Sequence, residues 1–302
     1  MSALQGVYAA AVMPRQAGTN KIEMGAAFDL IDYLSKSGVQ GIALFGSTGE
    51  FLHFDLEDRL RLLRLGIKRS EVPVIAGVGH STLDGAVRLA EEAADAGAAA
   101  VILMPPYFFR YGQEEIAAFY LEFAEELAGS APIMLYNIAA FSNALEYETG
   151  AALLSSGLFA GIKDSTGSLD DFMRWHSLRE SHSFTLLVGN DVLFTAARSG
   201  GADGVVSGVA CAVPEVLLGL DRAIQRNNTR KRDQLESRLR EFLERADSFP
   251  APVGVRAAVE VRGLKIGPHA VPFGADGQRR LDEFREWFRG WLPAVREECR
   301  HE

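Results

Sequence analysis

The chain has 302 residues, of which 48% are hydrophobic and 24% are charged, and its formal net charge is −9. This length suits one large domain or a domain with an appendage, and it allows a substantial buried core. The acidic balance argues against a nucleic-acid partner, because phosphates require a basic surface. It still permits an anionic small substrate, which a locally positive pocket or backbone N–H groups can bind.

The sequence shows no recognisable targeting signal, and its two cysteines cannot form a disulfide framework. The first ten residues, MSALQGVYAA, lack a basic segment followed by a long apolar core, and no apolar run is long enough to span a bilayer. Cys211 and Cys299 show no metal-binding spacing. We therefore expect a cytoplasmic protein without a membrane partner.

Short apolar or β-branched runs alternate with longer, helix-spaced stretches over most of the chain. This alternation predicts repeated βαβ units, and strands that are apolar throughout need cover on both faces. Eight such units that close on themselves form a (β/α)8 barrel, or TIM barrel, of the α/β class. The predicted strands are Val7–Val12, Gly41–Phe45, Pro73–Val78, Ala100–Met104, Pro132–Tyr136, Phe159–Lys163, Phe184–Val188 and Gly204–Ser207.

Several of the intervening stretches have helical spacing. The alternative to a barrel is an open, doubly wound sheet, which usually carries a glycine-rich dinucleotide fingerprint after an early strand. No such fingerprint occurs in this sequence, so the barrel is favoured. The clearest predicted helices are Asp55–Lys68, Leu83–Ala96, Glu114–Ala128 and Asp170–Arg179.

The C-terminal part of the chain has a different pattern, with helical spacing and no strand-like run. A proline-containing segment at residues 250–253 interrupts it. We predict a barrel over residues 1–222 and a C-terminal helical appendage over residues 223–302. The helix-spaced stretches of this appendage are Ala223–Arg245, Arg256–Val261 and Leu281–Trp291.

Lys163 is the strongest catalytic candidate at the C-terminal ends of the strands, where barrel enzymes carry their active sites. It closes the sixth strand, and alternation puts its side chain on the same face as Gly161 and Phe159. An ammonium group in an apolar barrel mouth loses hydration, which favours the neutral amine. A neutral amine can attack a carbonyl and hold it as an iminium. A solvated lysine that merely follows a strand is the alternative interpretation.

Two further segments could serve such an amine. Tyr136 ends the preceding strand, so it should neighbour Lys163, and its phenol could relay a proton. The turn Gly46–Gly49 offers backbone N–H groups and the hydroxyls of Ser47 and Thr48, which could cradle a carboxylate. Each segment also has a purely structural interpretation. Tyr136 could be a buried ring with a solvated hydroxyl, and the turn could be only a tight connection.

Other chemistries have little support in the sequence. The six histidines show no spacing typical of metal ligands, so we expect no metal site. Neither a GxSxG elbow nor a Walker-type phosphate loop is present.

Four motifs together resemble the dihydrodipicolinate synthase/N-acetylneuraminate lyase superfamily of class I pyruvate-dependent aldolases. They occur in the order and approximate spacing of that superfamily, and the resemblance extends from about residue 6 to residue 278. The motifs are GSTGE at Gly46–Glu50, PPY at Pro105–Tyr107, YNI at Tyr136–Ile138 and GIKDSTG at Gly161–Gly167.

This resemblance implies a role for each matching residue. Lys163 matches the Schiff-base lysine, Tyr136 matches the proton-shuttling tyrosine, and Ser47 and Thr48 match the pair that binds the pyruvate carboxylate. Val206 lies where the family places a backbone carbonyl beside the active site. The resemblance also implies a homotetramer assembled from dimers, and an enzyme that needs neither a metal nor a cofactor.

Three departures from the family pattern bear on the substrate. Phe141 stands where the synthases hold the carboxylate of the second substrate with an arginine. Phe108 stands where they carry a second tyrosine, donated across a subunit interface. Phenylalanine neither pairs with a carboxylate nor passes a proton, so synthase activity is disfavoured. Val192 replaces an acidic residue that sialic acid lyases use for the polyol chain.

We therefore predict a Schiff-base lyase that cleaves or forms a 2-keto-3-deoxy sugar acid, with a 2-oxo acid such as pyruvate as its small-molecule partner. Ser165, Asp191 and Ser207 are the candidates for contact with distal hydroxyl groups. Synthase, N-acetylneuraminate lyase and dehydratase activities through the same iminium are the alternatives. A further alternative is a paralogue that binds a 2-oxo acid without turnover, as Phe108 suggests.

Overall fold

Eight parallel strands close into a barrel in which each strand pairs with its neighbours in the sequence. The structure is a computed structural model that describes residues 4–300. All eight predicted strands are confirmed, and their ends differ from the predicted ones by one or two residues at most. The strands are β1 (Gly6–Ala10), β2 (Gly41–Leu44), β3 (Val74–Gly77), β4 (Ala100–Leu103), β5 (Ile133–Asn137), β6 (Gly161–Asp164), β7 (Thr185–Val188) and β8 (Gly204–Ser207).

Helices follow the strands and cover the outside of the barrel. The four predicted helices of the barrel are confirmed as α2, α3, α4 and α6. No helix within residues 4–300 combines the length and apolar character that a bilayer crossing requires. The helices up to β8 and just beyond it are α1 (Met24–Lys36), α2 (Leu56–Arg69), α3 (Leu83–Ala96), α4 (Gln113–Leu127), α5 (Tyr147–Ser155), α6 (Leu169–Leu178), α7 (Phe194–Ser199) and α8 (Val209–Ala212).

The pairing of β5 with β6 places Tyr136 opposite Lys163 and Asn137 opposite Asp164. Successive side chains of a strand point to opposite faces, so the first pair faces the barrel interior and the second faces the helices. On the outer face, Asn137 Nδ2 donates to Asp164 Oδ2 at 3.3 Å, and Trp175 Nε1 of α6 donates to the same oxygen at 3.1 Å. The outer pair thus fixes the register that brings the tyrosine beside the lysine.

Four helices form the C-terminal part of the chain, in agreement with its predicted helical character. The stretch predicted as Ala223–Arg245 is divided, because Asn227 adopts a left-handed φ of 54° between two helices. The predicted boundary at residues 222 and 223 lies within α9, and the division into two domains stays a prediction. The helices are α9 (Pro214–Gln225), α10 (Thr229–Ala246), α11 (Val253–Val261) and α12 (Ala275–Arg300).

Candidate active site

Lys163 lies near the C-terminal end of β6, with its side chain in the mouth of the barrel. The residue is only 5% exposed. Its Nζ lies 4.1 Å from the centroid of the Tyr136 ring, which is itself buried. Within residues 4–300 no carboxylate forms an ion pair with this amine. A buried amine without a counter-ion suits nucleophilic attack on a carbonyl.

The phenol of Tyr136 connects the lysine to the turn after β2. Tyr136 Oη lies 3.2 Å from Ser47 Oγ, and either oxygen can be the donor of this hydrogen bond. The structure therefore brings Ser47, Tyr136 and Lys163 together, although they come from strands far apart in the sequence. A proton can pass between hydroxyl groups at such a distance.

Of the four backbone amides from Ser47 to Glu50, two are engaged within the turn and two are available. Gly49 N donates to Gly46 O and Glu50 N donates to Ser47 O, both at 3.0 Å. Within the described range, the amides of Ser47 and Thr48 have no hydrogen-bond acceptor. These two amides and the two hydroxyls of the same residues can together bind a carboxylate.

Arg256 of α11 stabilises this turn through a buried ion pair with Glu50. Its Nη1 donates to Glu50 Oε2 at 2.8 Å and to Met13 O at 2.7 Å, and its Nη2 donates to Pro268 O at 3.0 Å. Glu50 adopts a left-handed φ of 48°, which the ion pair helps to maintain. Burial lowers the pKa of the Arg256 guanidinium, and the neighbouring Glu50 carboxylate opposes that shift. In the sequence, nothing distinguishes Arg256 from other helical arginines, so its role could not be predicted from the pattern.

Gly189, directly after β7, leaves space for the catalytic candidate. A Cβ atom on this glycine would lie 2.3 Å from Lys163 Cε and 2.1 Å from Ser165 Oγ. The lysine chain and the serine hydroxyl therefore occupy the place where any other residue would have its side chain. The Ser165 hydroxyl is covered and has no hydrogen-bond partner among the residues described.

Asp191 and Ser207 lie on the same side of the mouth as Ser165. Desolvation raises the pKa of Asp191 to about 6, although the Ser207 hydroxyl and the Val209 amide oppose that rise. Ser207 is buried at the end of β8, and its Oγ accepts a hydrogen bond from Ala210 N at 2.9 Å. Asp191 therefore changes its charge in a range close to neutral pH.

The remaining predicted position, Val206, is buried in β8 and pairs with Tyr8 of β1. Between residues 4 and 300 there is no group of three His, Cys, Asp or Glu side chains that could hold a metal ion.

Comparison with known proteins identifies the family of this chain. Residues 3–287 match the model of the Dihydrodipicolinate synthetase family. The chain belongs to this family. Membership confirms the predicted resemblance, the barrel fold and the enzyme class, a pyruvate-dependent lyase of the Schiff-base type.

The similar proteins carry more than one activity in their names. A 4-hydroxy-tetrahydrodipicolinate synthase of Methanothrix thermoacetophila is 29% identical over 269 residues, covering 89% of this chain and 90% of the relative. A 2-dehydro-3-deoxy-D-gluconate/2-dehydro-3-deoxy-phosphogluconate aldolase of Picrophilus torridus is 33% identical over 185 residues, covering 61% and 69%. The solved 4-hydroxy-tetrahydrodipicolinate synthase of Methylacidiphilum fumariolicum SolV has a TM-score of 0.86 and 27% identity, covering 98% of this chain and 99% of that one.

The three residues that depart from the family pattern are all exposed. Phe108 is 89% exposed, Phe141 is 58% exposed and Val192 is 69% exposed. Phe108 has a φ of 74°, an uncommon value for an aromatic residue. Asn143 stabilises the loop that carries Phe108, because its Nδ2 donates to Phe109 O at 2.8 Å. The fold thus directs an apolar side chain outward at this position.

We expect Gly189→Ala to abolish most imine formation, because the added methyl group collides with Lys163 Cε. A displacement of about 1 Å at a reacting group can reduce a rate about a hundredfold. The measurement is the rate at which borohydride traps a pyruvate adduct, read by intact-mass spectrometry on folded protein.

Gly290→Ala is the matched control for this experiment, because nothing lies within 4 Å of a Cβ added there. It should form the adduct at the rate of the unmodified protein. A folded Gly189→Ala variant with that same rate would show that the lysine does not need this space.

Proposed function

We propose that Lys163 forms the Schiff base and that the enzyme cleaves or forms a 2-keto-3-deoxy sugar acid. The observation that carries the proposal is the buried, unpaired amine beside Tyr136, whose hydroxyl is bonded to Ser47. The aldolase of Picrophilus torridus, 33% identical over 185 residues, supports the substrate class. The hydroxyl groups of a sugar acid can also form hydrogen bonds with the polar residues on one side of the mouth, Ser165, Asp191 and Ser207.

In the cleavage direction, the Lys163 amine attacks the C2 carbonyl of the substrate, and loss of water gives an iminium. A proton then leaves the C4 hydroxyl, the C3–C4 bond breaks, and its electron pair moves into the iminium as an enamine. The aldehyde departs, C3 takes up a proton, and water releases pyruvate and the free amine. In this proposal Tyr136 carries these protons.

The remaining predicted residues bind the substrate in this proposal. Ser47 and Thr48 hold the carboxylate through their amides and hydroxyls. Ser165, Asp191 and Ser207 contact hydroxyl groups beyond C3, and the family resemblance adds the backbone carbonyl of Val206 to this set.

Dihydrodipicolinate synthase activity is the second candidate function, because relatives with that name match most of the chain. Phe141 argues against it, since an apolar ring cannot neutralise the carboxylate of the second substrate. A dehydratase or an N-acetylneuraminate lyase would use the same iminium. A paralogue that binds without turnover would show thermal stabilisation by the 2-oxo acid and release no product.

We expect Lys163→Ala to lose the borohydride-trapped pyruvate adduct completely, because the proposed imine forms on that amine. Tyr136→Phe should still form the adduct but lose about 10²- to 10⁴-fold in turnover, the usual contribution of a proton-transfer group. The measurements are intact mass after trapping and pyruvate release from 2-keto-3-deoxygluconate. An adduct that persists in Lys163→Ala would refute the mechanism, and pyruvate release by the unmodified enzyme would eliminate the binding-only alternative.

We expect kcat/KM for the sugar acid to fall as the pH is lowered through about 6, the raised pKa of Asp191. Above this value the ionised carboxylate accepts hydrogen bonds from substrate hydroxyls, and below it the protonated group accepts them less well. Asp191→Asn keeps the shape without the charge, so its pH profile should lack this limb. An identical limb in both proteins would assign the titration to another group.

We also propose that the protein forms a homo-oligomer, a homotetramer assembled from dimers. The described chain exposes a set of large apolar side chains around the PPY loop, a patch that is unusual on a monomer. The exposed residues are Leu52, Phe108, Phe109 and Tyr111.

Phe108→Glu should weaken this assembly, because it puts a charge at the most exposed aromatic position of the patch. We expect analytical ultracentrifugation to show a tetramer for the unmodified protein and smaller species for the variant. A charge at an exposed position outside the patch, as in Val271→Glu, is the control. A monomer in both proteins would contradict the proposal.

A cytoplasmic location remains part of the proposal. Cys211 and Cys299 are both buried free thiols, which suits a reducing compartment. Burial raises the pKa of the Cys211 thiol to about 12 and that of Cys299 to about 11, so neither is poised to react.

A further inference from the structure

A cavity of about 240 Å³ adjoins the turn that carries Ser47 and Thr48. Most of its wall is apolar or aromatic, and it opens at the barrel mouth. We call it the distal cavity. Its other lining residues are Glu50, Phe51, Leu52, His53, Met104, Tyr107, Phe141 and Ala251.

Among residues 4–300, no lysine or arginine side chain lines the distal cavity. The buried Arg15 lies behind its wall, with Nη1 3.4 Å from the carbonyl oxygen of His53. The buried guanidinium of Arg59 lies over the rings of Phe45 and Phe51, with its carbon 5.4 Å and 5.0 Å from their centroids. Its Nη2 donates to the carbonyl oxygen of Gly77 at 3.3 Å. The ring of Phe51, which lines the cavity, therefore already forms a cation–π contact with Arg59.

The carboxylate in the wall is also engaged. Glu50 is paired with the buried Arg256 at 2.8 Å, so it offers no free charge to a substrate amine or hydroxyl. Because the pyruvate carboxylate occupies Ser47 and Thr48 in the proposed function, a further carboxylate or a polyol chain in this cavity would lose water and meet a mainly apolar wall without a cation, which is unfavourable. An apolar group would instead gain from burial against Met104 and Phe141.

We propose that the distal cavity binds an aryl or alkyl group of the aldehyde, so that the enzyme also acts on 4-hydroxy-2-oxo acids with an apolar substituent at C4. This inference rests on the Schiff-base function proposed above. The enamine carbon of Lys163-bound pyruvate attacks the aldehyde carbon, one C–C bond forms, and the aldehyde oxygen takes up a proton. Water then releases the 4-hydroxy-2-oxo acid and the free amine.

The size of the cavity fits this class of group. An apolar protein cavity of about 150 Å³ is large enough to bind benzene. A phenyl ring or a short branched alkyl chain therefore fits in 240 Å³, with room for its link to the reacting carbon. The shared residues Ser47 and Thr48 make the cavity continuous with the proposed carboxylate site.

The test is aldol addition of pyruvate to three aldehydes: benzaldehyde, D-glyceraldehyde and succinic semialdehyde, which carries a carboxylate. We expect the unmodified enzyme to form 4-hydroxy-2-oxo-4-phenylbutanoate. Phe141→Arg should lower kcat/KM for benzaldehyde by about tenfold or more and raise it for succinic semialdehyde, because it replaces an apolar wall by a cation. Val271→Arg adds the same charge at an exposed apolar position outside the cavity and should change neither value.

Three results would overturn the inference, each in a distinct way. Turnover of glyceraldehyde without turnover of benzaldehyde would reject the apolar subsite and leave the proposed function intact. Absence of a pyruvate adduct after borohydride trapping would reject both. An altered oligomeric mass in Phe141→Arg, with all three aldehydes affected equally, would assign the cavity to contact with a second copy of the chain.

Discussion

The register between β5 and β6 is the constraint on which the proposed chemistry depends. Side chains alternate along a strand, so a slip of one residue would turn Lys163 toward the helices and Asp164 into the barrel. The outer-face bonds oppose that slip, because Asp164 is buried and accepts hydrogen bonds from Asn137 and Trp175. Loss of these bonds would leave Asp164 Oδ2 buried without a partner, although Oδ1 would still accept from Thr166. A polar cluster outside the barrel thereby determines which side chains meet inside it.

A second constraint comes from the C-terminal helices. Arg256 is fully buried and reaches the barrel mouth from α11, where it pairs with Glu50 and with backbone carbonyl groups. Breaking a buried ion pair by removing one partner commonly destabilises a protein by about 3–5 kcal/mol, because a charge is left without compensation. The bond therefore couples the conformation of the Gly46–Glu50 turn to the packing of α11. The helical region helps to build the site as well as covering the barrel.

The sequence predicted those features whose signal is local or repeated. Apolar strands in alternation with helices indicated the barrel, and its geometry then drew attention to Lys163 at the end of a strand. The contact of Arg256 with Glu50 joins residues 206 positions apart, and no periodicity reports such a bond. The importance of Gly189 follows only from the path of the lysine chain across it. The break at Asn227 depends on one left-handed residue within a helix-spaced stretch.

The barrel mouth has two sides of opposite character. On the side of β6 to β8, the proposed function assigns substrate hydrogen bonds to Asp191 and to the Ser165 hydroxyl, which has no partner among the described residues. On the side of β2 to β5, Met104 and Phe141 line a cavity whose wall is mainly apolar. Every substrate of an aldol cleavage carries a hydroxyl at C4, so the polar side can orient the reacting carbon of each one. The group beyond C4 differs between substrates, and the apolar side then decides which aldehyde gains from being bound.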